Sequence, residues 1–582
     1  MPSNADLARL FTELAAGLEL TGANPFRVRA HEKVARILED LPGDAAAMSA
    51  EELQGIDGIG EGSAKKIREF VETGRVAEHD ELWSTIPRGL LEVMNVPGLG
   101  PKTIKLLWEH GGVIDLATLR AKLADGSLAG LPRMGGKTLA NIQDALAFME
   151  KSGGRIRLGE AMPIAESIVA TLRAVKGIEH VEFAGSLRRG KETIGDIDIL
   201  ACGTNGSAIA KAFVSMPGVE KILVDGETKC SVRLSRGVQA DLRIVDSSCF
   251  GAALLYFTGS KEHNVRLREL AIAKGWRLNE YGLFKASAED DKAPPQERGA
   301  KPIAARTEAQ IYAKLGRPWI PPEQREDRGE LARGADDFAA LVAIDDIRSE
   351  LHAHTIASDG GLTIDQLAGE AKRRGFHTIA VTDHSKSSVQ ANGLSPERLL
   401  KHIAEIRAAE KRIGGIHILA GSEVDILADG TLDYDDELLR KLDVVVASPH
   451  ASLRQEPEKA TARLLKAVRH PLVNILGHPT GRLINDREGL SPDIAAIAKE
   501  AAKHGTALEI NSNDWRLDLR DTHVRVAIEH GAFIAIDCDV HAASNFDMLR
   551  YGIMTARRGG CPKDACVNTW DAQRLRRWLA RR

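Results

Sequence analysis

Apolar positions along the 582-residue chain change their spacing twice. Up to about residue 150 they form helix-like stretches, each introduced by an apolar-Gly-apolar-Gly turn. Short continuous apolar runs then appear, Ile199-Leu200-Ala201 and the Leu242, Ile244, Val245 group, which read as buried neighbouring strands. From Asp345 onward, β-like runs at Thr378 to Val381, Ile416 to Leu419, Val444 to Ala447 and Ala532 to Ile536 alternate with helical stretches such as Glu397 to Arg412 and Asp493 to His504. That alternation predicts a βα barrel, whose functional residues gather at the strand ends.

The first strand carries Asp196 and Asp198 on either side of Ile197. With a side-chain period of two, both carboxylates share a face and Ile197 turns into the core. Asp241 stands in the neighbouring strand. Carboxylates brought side by side repel and lose hydration, a penalty that a cation removes. Three of them fit a two-metal site for in-line displacement, with ions roughly 3.5–4 Å apart. All-oxygen ligands favour Mg2+ or Mn2+. Upstream, Gly185-Ser186 permits a tight turn whose amides approach a phosphate, and Arg189 pairs with its charge. The chemistry indicated is phosphoryl transfer.

Charge divides along the chain. Residues 1–150 carry 16 Lys+Arg against 22 Asp+Glu, residues 151–320 carry 26 against 20, and the remainder 36 against 40, for a net −4. The basic excess of +6 lies in the segment with the aspartates, which suits a polyanion held there with salt-sensitive affinity. The acidic N-terminal part needs another way to touch phosphate. Its repeats supply one: Ile56-Asp57-Gly58-Ile59-Gly60, Val96-Pro97-Gly98-Leu99-Gly100 and Leu131-Pro132-Arg133-Met134-Gly135, each followed by lysines such as Lys65, Lys66, Lys102, Lys105 and Lys137. Such hairpins present free amides at a helix N-terminus and bind backbone without reading sequence. In the third copy Arg133 replaces the first glycine, so a weaker or structural role is expected.

The Gly185 to Asp198 stretch with Asp241 resembles the nucleotidyltransferase motif of family X DNA polymerases, and the repeats resemble helix-hairpin-helix motifs. Leu255-Tyr256-Phe257-Thr258-Gly259-Ser260, Asn264, Arg268 and Asn279-Glu280-Tyr281 resemble the thumb of that family. The resemblance implies Asp196, Asp198 and Asp241 as catalytic metal ligands. It implies Gly185, Ser186, Arg189, Gly195, Tyr256, Phe257, Gly259 and Asn264 at the nucleotide. It places Gly58, Gly60, Gly98, Gly100, Lys102, Arg243, Arg268 and Glu280 on the template or DNA backbone. A backbone turn at Phe257 to Gly259 would crowd a ribose 2′-hydroxyl, so deoxynucleotides are expected. Ile194 and Lys261 depart from residues some relatives place near the phosphates and the base. The segment Asn24 to Ala30 resembles the family's small N-terminal domain, and Lys66 aligns with the lysine that releases a baseless sugar in relatives.

The last third has a different vocabulary. His352-Ala353-His354, Ser358-Asp359-Gly360, Thr382-Asp383-His384, Glu423, Ser448-Pro449-His450, Gly477-His478-Pro479 and Asp537-Cys538-Asp539-Val540-His541 follow the β-like runs. Mixed nitrogen and oxygen donors suit Mn, Zn or Fe, and about nine of them exceed what one ion needs. This region resembles a PHP (polymerase and histidinol phosphatase) domain. The resemblance implies His352, His354, Asp359, His384, Glu423, His450, His478, Asp539 and His541 as ligands of two or three ions, Mn2+ or Zn2+, with Glu423 bridging. It implies hydrolysis of phosphoesters by ion-activated water, with 3′–5′ exonuclease or 3′-end processing as the activity. Arg482 and Arg516 are candidates for holding substrate phosphate.

The expected fold is multidomain α+β and α/β. A helical DNA-binding domain spans 1–80, helical fingers with two hairpin motifs 81–154, a nucleotidyltransferase palm 155–250, a thumb 251–317, a linker 318–345, and a distorted βα barrel 346–582. The basic tail from Arg574 is expected as a solvated helix. Six scattered cysteines, no secretory leader and no twenty-residue apolar run indicate a reduced, cytoplasmic protein without a membrane partner, and a monomer is expected. Its partners would be gapped or primer-template DNA and deoxynucleoside triphosphates. The alternative is a phosphoesterase whose polymerase-like half only docks DNA.

Overall fold

A computed structural model describes residue 2 and residues 4–580, apart from residues 42–44, 57, 95, 97, 98, 133, 137, 141, 144, 145, 147–154, 235, 236, 288, 289, 291 and 292. Gly98, Arg133 and Lys137 of the hairpin repeats therefore lie outside the described residues. The chain divides into two compact units, Met1–Gly154 and Arg155–Arg582.

The first unit is helical, with helices at Asn4–Thr21, Pro25–Asp40, Glu61–Thr73, Ala77–Thr85, Pro101–Glu109 and Leu116–Ala124. Two apolar clusters hold it. Leu7, Phe11, Leu14, Leu38 and Ile67 form one; Trp83, Leu90, Ile104, Leu107 and Leu119 form the other. Gly58 has φ +98°, and a Cβ there would stand 2.3 Å from Lys33 Cε, so only glycine fits the turn. Gly60 and Gly100 begin the helices Glu61–Thr73 and Pro101–Glu109 with no side chain capping either start. A Cβ at either glycine would meet nothing within 4 Å, so both helix starts are open to a ligand.

The second unit begins with a five-stranded sheet. Its strands are β1 (Ile178–Phe183), β2 (Asp196–Gly203), β3 (Val219–Asp225), β4 (Lys229–Leu234) and β5 (Gln239–Ile244), in the order β1-β2-β5-β4-β3. Only β2 and β5 run parallel, and their register sets Asp198 opposite Asp241. Ile197, Ile199, Leu242 and Val232 are buried in the core under this sheet. The thumb follows, with helices Phe250–Thr258 and Lys261–Ala273 and the hairpin Trp276–Asn279/Gly282–Lys285.

The barrel comprises seven parallel strands in sequence order: β6 (Ser349–Glu350), β7 (Thr378–Val381), β8 (His417–Asp425), β9 (Val444–Ser448), β10 (Ile475–Leu476), β11 (Ala507–Asn511) and β12 (Phe533–Asp537). A parallel bridge between Ala353 and Val540 joins the first and last strand ends, so the barrel is nearly closed. Strand residues such as Ile379, Ile418 and Ile510 pack in the large cluster with the surrounding helices. A separate cluster of Leu351, Ala380, Leu419, Val446, Ile475, Ala507 and Ala535 packs on Trp570, Leu575, Trp578 and Leu579.

Two expectations change. The C-terminal tail is not a solvated helix: Ala572–Leu579 buries Leu575, Trp578 and Leu579 against barrel strands, and Trp578 donates to the Gly505 carbonyl. Its strong amphipathicity marks a docked face, with only the opposite side charged. Residues 318–345 do not form a free linker. They make three short 3-10 turns and the helix Ala335–Ala339, and bury Gln324, Arg325 and Glu330. Arg325 and Arg188 both pair with Glu308, and His263 bridges Glu330 and the Tyr312 hydroxyl. Charged residues that read as solvated from composition are buried here because each meets an opposite charge.

Trp578→Ala is expected to destabilise the barrel by about 3–5 kcal/mol, whereas exposed Arg577→Ala stays within about 0.5 kcal/mol. Denaturant unfolding of the two variants checks this; equal midpoints would leave the tail as a solvated helix.

Candidate active sites

At the polymerase-like site β2 and β5 bring Asp196, Asp198 and Asp241 together, with one carboxylate oxygen of each within 4.8 Å of the others. Burial, then repulsion from Asp196 and Asp241, pushes the Asp198 carboxyl up to about 7. The chain itself leaves this repulsion largely unbalanced, which is the signature of a place for divalent cations. Asp196 is likewise raised, although Arg155 opposes the shift. Arg155, missed in the sequence reading, donates from Nε to Thr193 Oγ1 and stands against Gly195, where a Cβ would meet its Nη1 at 3.0 Å.

Gly185 has φ +60°, and a Cβ there would lie 2.2 Å from Asp198 Oδ2. The glycine thus lets the Gly185–Arg188 turn approach the Asp198 carboxylate. Arg188 is not free for phosphate; it donates to Thr258 Oγ1 and makes a two-point pair with Glu308. Arg189 donates from Nε to Glu326 and from Nη1 to the Thr258 carbonyl. A Cβ on Gly259 would meet Arg189 Nη1 at 3.1 Å, so the guanidinium lies between the thumb turn and the aspartates. Asn264 Nδ2 donates to the Tyr256 carbonyl, and a cleft is lined by Leu255, Tyr256, Asn264, Arg268 and Asn279. Arg243 lies 5.4 Å from the Phe257 ring centroid.

At the barrel the strand ends assemble the second centre. His354, Asp359, His384 and His541 form one group, His352, His354 and Asp539 a second, and His384, Glu423 and His450 a third. His354 and His384 are each shared between two groups, as expected for more than one ion. The ninth expected ligand, His478, places Nε2 2.8 Å from Glu423 Oε1. Glu423 Oε2 is 2.9 Å from His384 Nδ1 and Oε1 is 3.2 Å from His450 Nε2, so its carboxylate is central. His354 is wholly buried with neither ring nitrogen hydrogen-bonded. Burial, then the adjacent His384, depresses it to about 4, leaving a neutral imidazole with its lone pair available. Orphaned buried donors facing carboxylates fit divalent ions held by mixed ligands.

The residues that orient these ligands escaped the sequence reading. Glu509 accepts His352 Nδ1 at 2.6 Å and the His478 amide, and burial pushes it up to about 7. Asp425 accepts His450 Nδ1. Asp383 gathers the amides of Thr355 and Ser358 and His402 Nε2, which fixes the loop carrying Asp359. Their signal was an acid beside an expected ligand or at the end of a β-like run, but the partner lies 19 to 157 residues away in sequence. Arg516 stays beside the centre, 3.9 Å from Asp539. Arg482 does not: it is buried in a two-point pair with Glu192 of the palm loop.

In the first unit, Lys66 Nζ lies 2.9 Å from Glu78 Oε2 and must leave that pair before it can attack a sugar. Lys102 is exposed on the helix that Gly100 begins.

The triad makes a sign-definite prediction. A carboxyl raised to about 7 in the fold from the ordinary 3.8 favours the metal-free fold at low pH, and this contribution is lost as pH rises from about 4 to 7. Asp198→Asn is therefore expected to raise the melting midpoint of the chelator-treated protein at pH 8, by less at pH 5, and to leave it near wild type at about pH 4. Equal differences at all three pH values would refute the raised carboxyl.

Four family descriptions match the chain: a helix-hairpin-helix domain over residues 2–76, a SAM-like helix-hairpin-helix tandem over 90–147, the DNA polymerase beta thumb over 253–326, and the PHP domain over 350–513. DNA polymerase/3′-5′ exonuclease PolX of Bacillus subtilis (strain 168) is 35% identical over 578 residues, 99% of each chain. DNA polymerase lambda of Rattus norvegicus is 28% identical over 297 residues, 48% of this chain and 49% of its own. A probable phosphatase of Thermoanaerobacter sp. (strain X514) is 28% identical over 242 residues, 40% of this chain and 93% of its own. On the whole-chain match to the Bacillus relative, with the hairpin, thumb and PHP matches in the same order along the chain, the protein belongs to the PolX-type family X DNA polymerases that carry a C-terminal PHP domain.

Proposed function

We propose that the chain is a DNA repair enzyme that adds deoxynucleotides to primer 3′ ends in short gaps and removes nucleotides or blocking groups from 3′ ends at the barrel. The observation that carries the first activity is the register of Asp198 on Asp241, with Arg189 close enough to act on the Asp198 carboxyl. Asp196, Asp198 and Asp241 would hold two Mg2+ or Mn2+ ions, which supply charge neutralisation at the attacking hydroxyl and the departing pyrophosphate. The chain's own part is to orient: Arg189 meets triphosphate charge, Tyr256 and Phe257 flank the sugar, and the Gly259 turn leaves no room for a 2′-hydroxyl. Asn264 and Arg268 stand on the helix Lys261–Ala273, from which they would reach the base edge and the template side.

The barrel ligands would hold two or three ions, Mn2+ or Zn2+, which activate water against a 3′-terminal phosphodiester. Here Glu509 and Asp425 fix the His352 and His450 rings, and Arg516 can bind the scissile phosphate. The domain boundaries expected from the sequence, with Gly58, Gly60, Gly100 and Lys102 gripping the DNA backbone, give this reading its substrate, gapped DNA. Lys66 is kept as the candidate amine for releasing a baseless 5′ sugar, a step that requires it to leave Glu78. The name of the Bacillus relative supports pairing the two activities. Among the described residues no helix is long and apolar enough to cross a membrane, and a cytoplasmic monomer fits this reading.

Gapped DNA labelled on the primer, incubated with Mn2+ with and without nucleotides, tests both halves. Wild type is expected to extend with nucleotides and to shorten without them. Asp198→Ala should lose extension by about 10³-fold and keep shortening; His354→Ala should do the reverse. No extension by wild type would reduce the polymerase-like half to a DNA-docking module.

A further inference from the structure

The palm loop that carries Arg189 is built against the phosphoesterase barrel. A Cβ on Gly190 would meet Met554 Cε at 2.9 Å, so the loop lies directly on the barrel helix Leu549–Arg558. Arg558, at the end of that helix, is buried. Its Nη1 donates to the Arg189 carbonyl at 2.7 Å and to Glu326 Oε1 at 2.9 Å; its Nε and Nη2 donate to Asp521 Oδ2. Glu326 Oε1 also accepts Arg189 Nε at 3.0 Å. Arg189 is thus held twice by one barrel residue, through its backbone carbonyl directly and through its guanidinium by way of Glu326. Arg328 extends the alternation, pairing with Asp521 at 3.0 Å. A second tie holds the same loop from the other side, where Arg482, four residues beyond His478, makes its two-point pair with Glu192, four residues before Asp196.

These are not surface pairs. Burial opposes ionisation of Glu326, yet Arg558, Arg189 and Lys191 hold its carboxyl far below the ordinary range. Breaking one member of such a chain leaves a buried charge without its partner, so the geometry is strongly enforced. A buried ladder that ends on the phosphate-binding arginine has a specific consequence. We propose that Arg558, acting through Glu326, is a positioning residue for the polymerase reaction, so that the phosphoesterase barrel sets the pose in which Arg189 receives the triphosphate of the incoming nucleotide. The proposal rests on the polymerase reading above. Neither Arg558 nor Glu326 reaches the barrel's metal ligands.

The test is steady-state extension of gapped DNA by the full chain, with nucleotide concentration varied, beside shortening of the same primer without nucleotides. Arg558→Lys keeps the charge but not the fork; Glu326→Gln keeps the volume but not the charge. Both are expected to raise the nucleotide KM about tenfold, with kcat within about threefold and shortening at the wild-type rate. A purely structural role would lower both activities together with the melting midpoint, and that outcome overturns the proposal. So does a KM within twofold of wild type in variants that still shorten the primer, while wild-type extension leaves the polymerase reading intact. Failure of wild type to extend overturns both.

Discussion

Burial of acids and imidazoles crowded at strand ends, repelling one another in the aspartate triad and pairing with one another in the barrel, is the constraint on which both centres depend. Asp198 is pushed up to about 7 because burial and two neighbouring aspartates act on it together. His354 sits wholly buried with neither ring nitrogen hydrogen-bonded, its Nε2 3.1 Å from Asp539 Oδ1. Isolated from cations, each arrangement costs stability, and a fold maintains such a cost only where the surrounding packing over-determines it. Here the packing is the rigid register of parallel strands: β2 on β5 in the palm, and β6 to β12 in the barrel. Strand ends cannot drift apart without breaking the ladder, so the charges stay together.

Elsewhere the molecule does the opposite with charge. Arg188, Arg325 and Glu308, then Arg189, Glu326, Arg558 and Asp521, alternate in sign through the junction of palm, thumb and barrel. Pairing fixes these groups in place, whereas the aspartate triad is left without a cation of the chain's own that balances it. The contrast separates structural charge from chemical charge more sharply than residue type does. It also explains why residues 318–345, rich in charge, are packed and do not behave as a tether.

Much of the site was readable from residues close together in sequence. Asp196-x-Asp198 obeys the strand period, Gly185 beside a serine marks a close approach, and the His-x-His and Asp-x-His clusters follow apolar runs. The hairpins were readable because Gly58, at φ +98°, satisfies a backbone requirement no other residue meets as well. Unreadable were Glu509 on His352, 157 residues apart, and Asp514 on Arg157, 357 residues apart. An acid in a β-like run carries no mark of which distant histidine it will orient. Arg482 was misassigned for the same reason: a lone arginine after a ligand looks like a phosphate holder until Glu192 is found against it.

By itself the sequence determined the chemistry, because metal-binding donors must be of particular types and local spacing puts them on one face of a strand or at one strand end. It also determined the succession of helical, mixed and barrel segments through the period of its apolar residues. Only the tertiary structure decided which charges are spent on one another. Ion pairs such as Arg558 with Glu326 and Arg482 with Glu192 join residues 232 and 290 positions apart, and burial makes such pairing decisive. No local pattern encodes a partner at that distance.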